Sequence, residues 1–328
     1  EFMQCDFDTI GTRSVAADIE TALVIHDLLR KIGGAFGREL KFTIRVNNRA
    51  VLSGLLAKLG LTDKSTAILR ALDKLGKIGA DKVAEEMVAA AGATTEQAGQ
   101  VLQLAELSGT NDEVLTQLAP LVAGNAQGEE GIERLRQILR GAKAGGVSDE
   151  AIQLDVSIAR GLDYYTGAIF ETFLADLPTI GSICSGGRYD NLAGLFTKQE
   201  LPGIGASLGL DRLLAALEEL GMIEKVRTPA PVLIAYFDKD RLDDYLQLAA
   251  HLRAAGIGVE VFPEPKKLGQ QLAYADRRGF RIAIIAGQRE FDAGTCQVKD
   301  LARAQSQDVP LDPPLELISA VQRIIGGA

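Results

Sequence analysis

The stretch IQLDVSIARGLDYYTGAIFETF, residues 152–173, determines the fold. Hydrophobic and polar side chains alternate in IQLDVSI and again in AIFETF. This pattern predicts two strands, because successive side chains of a strand point to opposite faces. The polar turn RGLDYYTG (160–167) separates the two segments, so the sequence predicts a hairpin-like pair of strands.

Further strands are predicted on both sides of this stretch. TIGSICSGGRYDNLAGLF (179–196) predicts a strand, a Gly-Gly turn and a short helix, and GIGASLGLDRLLAALEEL (203–220) predicts a strand that runs directly into a helix. LKFTIRVN (40–47) is a further strand between two helical segments. Because these strands follow one another without regular helical crossovers, we expect an antiparallel sheet.

The opening stretch EFMQCDFDTIG (1–11) alternates as well. It places Gln4, Asp6 and Asp8 on one face of a strand and apolar side chains on the other. An ordinary half-buried strand and a strand that lines a polar pocket both fit this pattern.

Two regions interrupt or follow the sheet. From about residue 62 to residue 146, Ala- and Leu-rich segments separated by glycines predict a helical insertion. After the proline-containing linker MIEKVRTPAP (222–231), strands and helices alternate, which predicts a small α/β domain with a mostly parallel core.

Composition narrows the class of protein. The 328 residues exceed one compact core and predict two or three domains, and a hydrophobic content of 47% is typical of a soluble globular protein. No segment has the length of a membrane span, and no signal peptide is visible. Three widely separated cysteines predict neither a disulfide framework nor a zinc site, so a reduced, cytoplasmic setting is expected. The net charge of −9 argues against an extensive nucleic-acid surface but leaves a limited one open.

Arginines in three turns point to a polyanionic ligand. Arg160 lies in RGLDYYTG, Arg188 in SGGRYDNL and Arg212 in the first turn of the predicted helix after GIGASLG. Guanidinium groups bind carboxylates and phosphates with two parallel hydrogen bonds, and helix N-termini favour anions. No Walker A loop is present, and the glycines of GIGASLG lack the dinucleotide-binding spacing. ATP is therefore the candidate ligand.

Four strings together resemble the histidyl-tRNA synthetase family. RGLDYYTG and SGGRYDNL are similar to its two signature motifs, GIGASLGLDR to motif 3 of class II synthetases, and QCDFDTIG to the second half of motif 2. The C-terminal region is similar to the family's anticodon-binding domain, so the resemblance covers essentially the whole chain.

The resemblance implies an α/β chain with an α+β catalytic domain built on a class II antiparallel sheet. This domain would comprise residues 1–61 and 149–222, interrupted by a helical insertion at 62–148, with an anticodon-binding domain at 228–328. The implied enzyme is a homodimeric, cytoplasmic histidine–tRNA ligase. It would use ATP and Mg²⁺ to form histidyl-adenylate and then transfer the histidyl group to tRNA(His), with no metal site of its own.

The resemblance also assigns roles to single residues. Arg160 would contact the histidine carboxylate and the α-phosphate and stabilise the charge that develops during attack. Asp8 would accept a hydrogen bond from the imidazole and Gln4 would lie near the α-amino group. The histidine pocket would further contain Tyr164, Tyr165, Gly186 and Gly187. Arg212 would bind the γ-phosphate, with Gly209 beside the nucleotide.

In the family, motif 1 and the motif 2 arginine precede the point where this sequence starts. We therefore expect an N-terminally truncated or incompletely resolved chain, and we expect residues 1–328 alone not to catalyse adenylation. Two alternatives stay open: a non-charging regulatory subunit that senses histidine, as in ATP phosphoribosyltransferase complexes, and a synthetase-like domain that binds tRNA within a signalling protein. The intact RGLDYYTG, Arg212 and the anticodon-like domain favour the enzyme.

Overall fold

The structure, a computed structural model, describes residues 2–159, 161, 164–223 and 228–326. The chain divides into two compact units, Glu1–Ile223 and Glu224–Ala328, each with its own hydrophobic core. Arg160, which carries the predicted catalytic role, lies outside the described residues, as does Asp163.

The first unit is built on a six-stranded sheet. Its strands are β1 (Gln4–Ile10), β2 (Phe42–Asn48), β3 (Ile152–Leu154), β4 (Ala168–Leu174), β5 (Cys184–Arg188) and β6 (Gly203–Gly209). They lie in the order β1-β6-β5-β4-β2-β3, and among these strands only the β2–β3 pair is parallel. The predicted antiparallel sheet is thus confirmed.

The helices of this unit are α1 (Val15–Ala35), α2 (Arg49–Lys58), α3 (Ser65–Leu72), α4 (Leu75–Ile78), α5 (Ala80–Ala91), α6 (Thr95–Ala105), α7 (Asn111–Val122), α8 (Ala126–Ala144) and α9 (Leu210–Glu219). Helices α3 to α8 fill the region predicted to be helical. Thr94 and Thr110 each begin a helix with a capping box. The threonine hydroxyl accepts from the backbone N–H three residues later, and the side chain of that later residue accepts from the backbone N–H of the threonine. Gly92, with φ +61°, ends α5 in the left-handed conformation.

Two glycines let α8 pack closely against α1. A Cβ added at Gly141 would lie 2.8 Å from Ile19 Cγ1, and one at Gly145 would lie 2.9 Å from a methyl of Leu23. Because real Cβ atoms do not approach so closely, larger residues there would push the helices apart. The last helix of the insertion is therefore joined to the helix that follows β1.

The predicted hairpin at 152–173 is wrong. Strands β3 and β4 lie on opposite sides of β2 and do not pair with each other. The amide of Asn47 in β2 donates to the carbonyl oxygens of Val156 and Ile158, at 3.2 and 2.8 Å. Asp155 accepts from the Ser157 backbone N–H at 3.0 Å, so the chain turns out of the sheet directly after Leu154.

The predicted Gly-Gly turn is also wrong, because Gly186 and Gly187 lie inside β5. A Cβ at Gly186 would be 2.6 Å from the Ala206 Cα of the neighbouring strand, and one at Gly187 would be 2.6 Å from the Ala168 carbonyl oxygen. These glycines therefore permit close strand packing rather than a reversal of the chain.

The second unit has a five-stranded sheet in the order β11-β10-β9-β7-β8. Its strands are β7 (Val232–Ala235), β8 (Val259–Val261), β9 (Ile282–Ile285), β10 (Thr295–Asp300) and β11 (Gln305–Pro310), and its helices are α10 (Leu242–Ala254), α11 (Leu268–Arg278), α12 (Gln288–Asp292) and α13 (Pro314–Ile325). Strand β7 pairs in parallel with β8 and β9, which confirms the predicted parallel core. The antiparallel strand β11 was not predicted, because its polar sequence QSQDVP lacks a hydrophobic face.

Among the helices that the structure describes, none is long and apolar enough to cross a membrane.

Candidate active site

The polar residues of β1 lie over glycines and a serine of β6. Gln4, Asp6 and Asp8 stand opposite Gly209, Ser207 and Gly205 in the antiparallel register. Residues directly opposite in an antiparallel pair point to the same face of the sheet. The polar face of β1 and the small residues of β6 therefore form one surface. Of the two alternatives for the opening stretch, the structure agrees with a strand that lines a polar pocket.

Two clefts open on this surface. The first, which we call the tyrosine cleft, has a volume of about 440 Å³ and is lined by Gln4, Asp6, Asp8, Tyr164, Tyr165, Ser185, Gly186, Tyr189, Leu192, Gly205, Ala206 and Ser207. The second, the arginine cleft, has a volume of about 370 Å³ and is lined by Phe2, Met3, Gln4, Ser182, Ile183, Ser185, Ser207, Gly209, Asp211 and Arg212. Both clefts include Gln4, Ser185 and Ser207, so they meet along a common border.

A carboxylate and a phenol are paired in the tyrosine cleft. The hydroxyl of Tyr189 donates a hydrogen bond to Asp8 Oδ1. Both side chains lie over glycines: a Cβ at Gly205 would be 2.6 Å from Asp8 Cγ, and one at Gly203 would be 2.7 Å from Tyr189 Cζ. Burial and the bond to Asp8 raise the pKa of Tyr189, so this phenol stays a neutral donor.

Two tyrosines form an aromatic wall beside this pair. The ring centroids of Tyr164 and Tyr165 are 4.4 Å apart, with the rings tilted by 57°. Tyr165 packs over Gly161, which has φ +65°, and over Gly187; a Cβ at Gly161 would overlap the ring, 2.7 Å from its Cγ atom. Burial raises the pKa of Tyr165, so it too stays neutral.

The tyrosine cleft can therefore bind a flat ring that carries an N–H group. The aromatic wall offers a face for stacking, and the Asp8 carboxylate has lone pairs beyond the one that Tyr189 occupies. Tyr189 was not among the predicted site residues, because its neighbour Arg188 carries the stronger chemical signal for an anion site. No local signal could have found Tyr189, because the glycine that makes room for its ring, Gly203, lies on the neighbouring strand β6.

Arg212 defines the arginine cleft. It lies in the first turn of α9, which begins immediately after β6, and its Nη1 donates to the Ser182 carbonyl oxygen. Asp211 accepts from the Met3 backbone N–H at 2.7 Å and thereby fixes the start of β1 against the helix. A guanidinium at a helix N-terminus favours an anionic ligand, and the role of Arg212 toward the γ-phosphate stays a prediction.

The prediction that Arg188 contributes to an anion site is wrong. Its side chain is only 2% exposed and pairs with Asp18 of α1, with Nε and Oδ1 2.8 Å apart. Burial alone would lower the pKa of Arg188, but the hydrogen bonds and charges of Asp18 and Asp190 raise it. Arg188 is thus a permanently charged residue of the interior that lines neither cleft.

The other residues predicted to bind histidine or ATP lie in different places. Gln4, Asp8, Tyr164, Tyr165 and Gly186 all line the tyrosine cleft. Gly187 lies beneath the ring of Tyr165 instead, and Gly209 lines the arginine cleft. Arg160 lies outside the described residues and is assigned to neither cleft.

Known proteins resemble this chain over most of its length. The family model described as Histidyl-tRNA synthetase matches residues 1–213, and the one described as Anticodon binding domain matches residues 231–322. A histidine–tRNA ligase of Rhodopirellula baltica is 62% identical over 324 residues, which are 98% of this chain and 72% of that protein.

Solved structures agree with this likeness. The crystal structure of histidyl-tRNA synthetase from Nostoc sp. PCC 7120 is 32% identical, with a TM-score of 0.63 over 98% of this chain and 74% of that one. An ATP phosphoribosyltransferase regulatory subunit/histidyl-tRNA synthetase from Bacillus halodurans has a TM-score of 0.56 at 19% identity, over 83% of this chain and 66% of that one. The second likeness shows the fold alone.

Proposed function

Because this chain belongs to the histidyl-tRNA synthetase family, we propose that it joins L-histidine to tRNA(His) in two steps. In the first step the histidine carboxylate attacks the α-phosphorus of ATP, which gives histidyl-adenylate and pyrophosphate. In the second step a hydroxyl of the terminal tRNA ribose attacks the histidyl carbonyl carbon and AMP leaves. The observation that carries this proposal is the shared border of the tyrosine and arginine clefts, to which we assign the amino acid and the phosphates respectively.

Histidine recognition is assigned to the Asp8–Tyr189 pair. The imidazole donates its N–H to the free lone pairs of the Asp8 carboxylate, while Tyr189 holds that carboxylate in place. A side chain without such an N–H would cover Asp8 and leave the lone pairs not bound by Tyr189 without a donor, which is how a polar site rejects close analogues. Gln4, on the border of the two clefts, is placed to hold the α-amino group.

ATP is assigned to the arginine cleft, with Arg212 on the γ-phosphate and Gly209 beside the nucleotide. The predicted role of Arg160, contact with the histidine carboxylate and the α-phosphate, is part of the same proposal. Positioned cations stabilise the charge that phosphoryl transfer spreads over the phosphate oxygens. Among the described residues, no three His, Cys, Asp or Glu side chains form a metal site, and we assign Mg²⁺ to the phosphates of ATP itself.

The second unit is proposed to bind the anticodon of tRNA(His). Support comes from the family model that matches residues 231–322. From the family resemblance we also propose that the protein is a homodimer and that it acts in the cytoplasm.

Histidine-dependent ATP–pyrophosphate exchange, measured on the full-length protein, tests the assignment. Asp8→Asn keeps the shape of the side chain but weakens the acceptor, so we expect kcat/KM for histidine to fall about 10- to 100-fold, as for the loss of a hydrogen bond to a charged group. Asp27→Asn is the control, because Asp27 is an exposed carboxylate on α1 that pairs with Lys31. Exchange that does not depend on histidine, or an Asp8→Asn protein with unchanged kinetics, would contradict the proposal. Charging of tRNA(His) separates the enzyme from a non-charging regulatory subunit.

A further inference from the structure

A buried ionic network lies outside both clefts. Asp18 of α1 is fully buried and binds two arginines, one with each carboxylate oxygen. Arg188 Nε lies 2.8 Å from Asp18 Oδ1, and Arg134 Nη1 of α8 lies 3.2 Å from Asp18 Oδ2. A buried carboxylate is tolerated only when such partners satisfy it, so this network joins β5, α1 and α8 firmly.

The same two arginines also hold the loop between β1 and α1. Arg188 donates to the carbonyl oxygens of Thr12 and Ser14, at 3.0 and 3.3 Å. Arg134 donates to the carbonyl oxygen of Arg13 between them, at 3.0 Å. Three consecutive carbonyl groups are therefore fixed by side chains from two other elements.

The network lies next to both members of the Asp8–Tyr189 pair along the chain. The loop that it holds follows β1, the strand that carries Asp8, and Arg188 directly precedes Tyr189. We propose that Arg134, Asp18 and Arg188 are positioning residues that fix the Asp8–Tyr189 pair and couple helix α8 of the helical insertion to the tyrosine cleft. The inference rests on the proposed function, because it assigns the pair to histidine recognition.

Arg134 is the residue that tests this coupling. It is partly exposed, and its removal leaves the buried Asp18–Arg188 contact in place, so the fold should survive. Arg134→Met keeps the apolar stem but frees the Arg13 carbonyl group and one Asp18 oxygen. A network that only stabilises the protein would lower the melting temperature and leave substrate binding unchanged. A positioning network would alter histidine binding specifically.

The experiment measures KM for histidine and KM for ATP in pyrophosphate exchange, together with the melting temperature. We expect Arg134→Met to raise KM for histidine about tenfold, since even a sub-ångström misplacement of a binding group is costly, and to change KM for ATP less than about twofold. The matched control is Arg136→Met on the same helix, because Arg136 makes an exposed pair with Glu133 at 2.6 Å. It should leave both constants unchanged.

Arg134→Lys gives a second readout. A lysine reaches Asp18 with its charge but lacks the two-pronged geometry that also binds the Arg13 carbonyl, so KM for histidine should be intermediate. Equal histidine KM values in the wild type, Arg134→Met and Arg134→Lys would overturn the inference. A full-length wild type without histidine-dependent exchange would overturn the proposed function instead. In that case the positioning role of the network is tested by measuring histidine affinity in a calorimeter. The affinity must fall in Arg134→Met and stay unchanged in Arg136→Met.

Discussion

Gly205→Ala perturbs the tyrosine cleft without replacing any residue that is proposed to bind substrate. Gly205 lies in β6, between Asp8 of β1 and Gly187 of β5 in the register of the sheet. An alanine Cβ there would lie 2.6 Å from Asp8 Cγ and would also press on the Phe7 carbonyl oxygen. A backbone oxygen cannot rotate away, so strand β1 itself must move.

The size of the movement sets the expected effect. Carbon atoms in contact are ordinarily ~3.5 Å apart, so Asp8 must retreat by about 1 Å. Strand β6 is held on its other side by β5, whereas β1 is an edge strand, and the displacement therefore falls on β1. A misplacement of about 1 Å can cost 100-fold, so we expect kcat/KM for histidine to fall about 100-fold, chiefly through KM. Overpacking should also lower the free energy of unfolding by about 1–3 kcal/mol.

The assay is histidine-dependent pyrophosphate exchange with histidine and ATP varied separately, and urea unfolding reports stability. Gly99→Ala is the matched control, because a Cβ at this helical position has no atom within 4 Å. A Gly205→Ala protein that loses stability but keeps the wild-type KM for histidine would refute the reasoning. Asp8 would then not be held by its contact with Gly205, or would not bind histidine.

Three further predictions concern single residues. Gly99→Ala should raise the free energy of unfolding by about 0.5–1 kcal/mol, since alanine is the better helix former, and a lower value in urea unfolding would contradict this. Arg212→Met should raise KM for ATP about 10- to 100-fold through the loss of a charged hydrogen bond and leave histidine binding unchanged in calorimetry. The pKa of Tyr189 is raised by burial and by Asp8, so its stabilising effect is complete below about pH 10, the ordinary tyrosine pKa, and is lost as the pH rises further. Unfolding of the wild type and Tyr189→Phe at pH 8 and above pH 10 should therefore show a stability difference that shrinks at the higher pH, and a constant difference would count against it.

Local patterns in the sequence predicted the elements that carry the clefts. The alternation in β1 and the strand-to-helix transition at 203–220 are properties of neighbouring residues, and both agree with the structure. For the same reason the alternation alone was sufficient to place Gln4 and Asp8 on one face of their strand. Their roles toward histidine stay predictions, as does the role of Arg160.

Pairing partners and burial could not be predicted in the same way. The place of β3 beside β2 depends on bonds from Asn47, which is more than 100 residues away in the sequence, to Val156 and Ile158. In the sequence, Arg188 follows glycines just as the other two arginines stand near glycines, so nothing local distinguishes it from them. Arg188 points inward toward Asp18, which lies on a helix 170 residues away in the sequence. Sequence spacing contains no information about such a partner.

The glycines of the signature strings explain why those strings are recognisable at all. In each case a recognition side chain occupies the space that a Cβ would take: Asp8 at Gly205, Tyr189 at Gly203, and Tyr165 at Gly161 and Gly187. The polar and aromatic groups are thus located by the residues beneath them as much as by their own strands. A substitution of the glycine and a substitution of the group it supports should therefore have similar effects on histidine binding.

For Asp8 the combined change, Gly205→Ala with Asp8→Asn, should cost clearly less than the sum of the two single changes, because residues in contact do not act additively. Additive losses in kcat/KM for histidine would show that the two positions act independently.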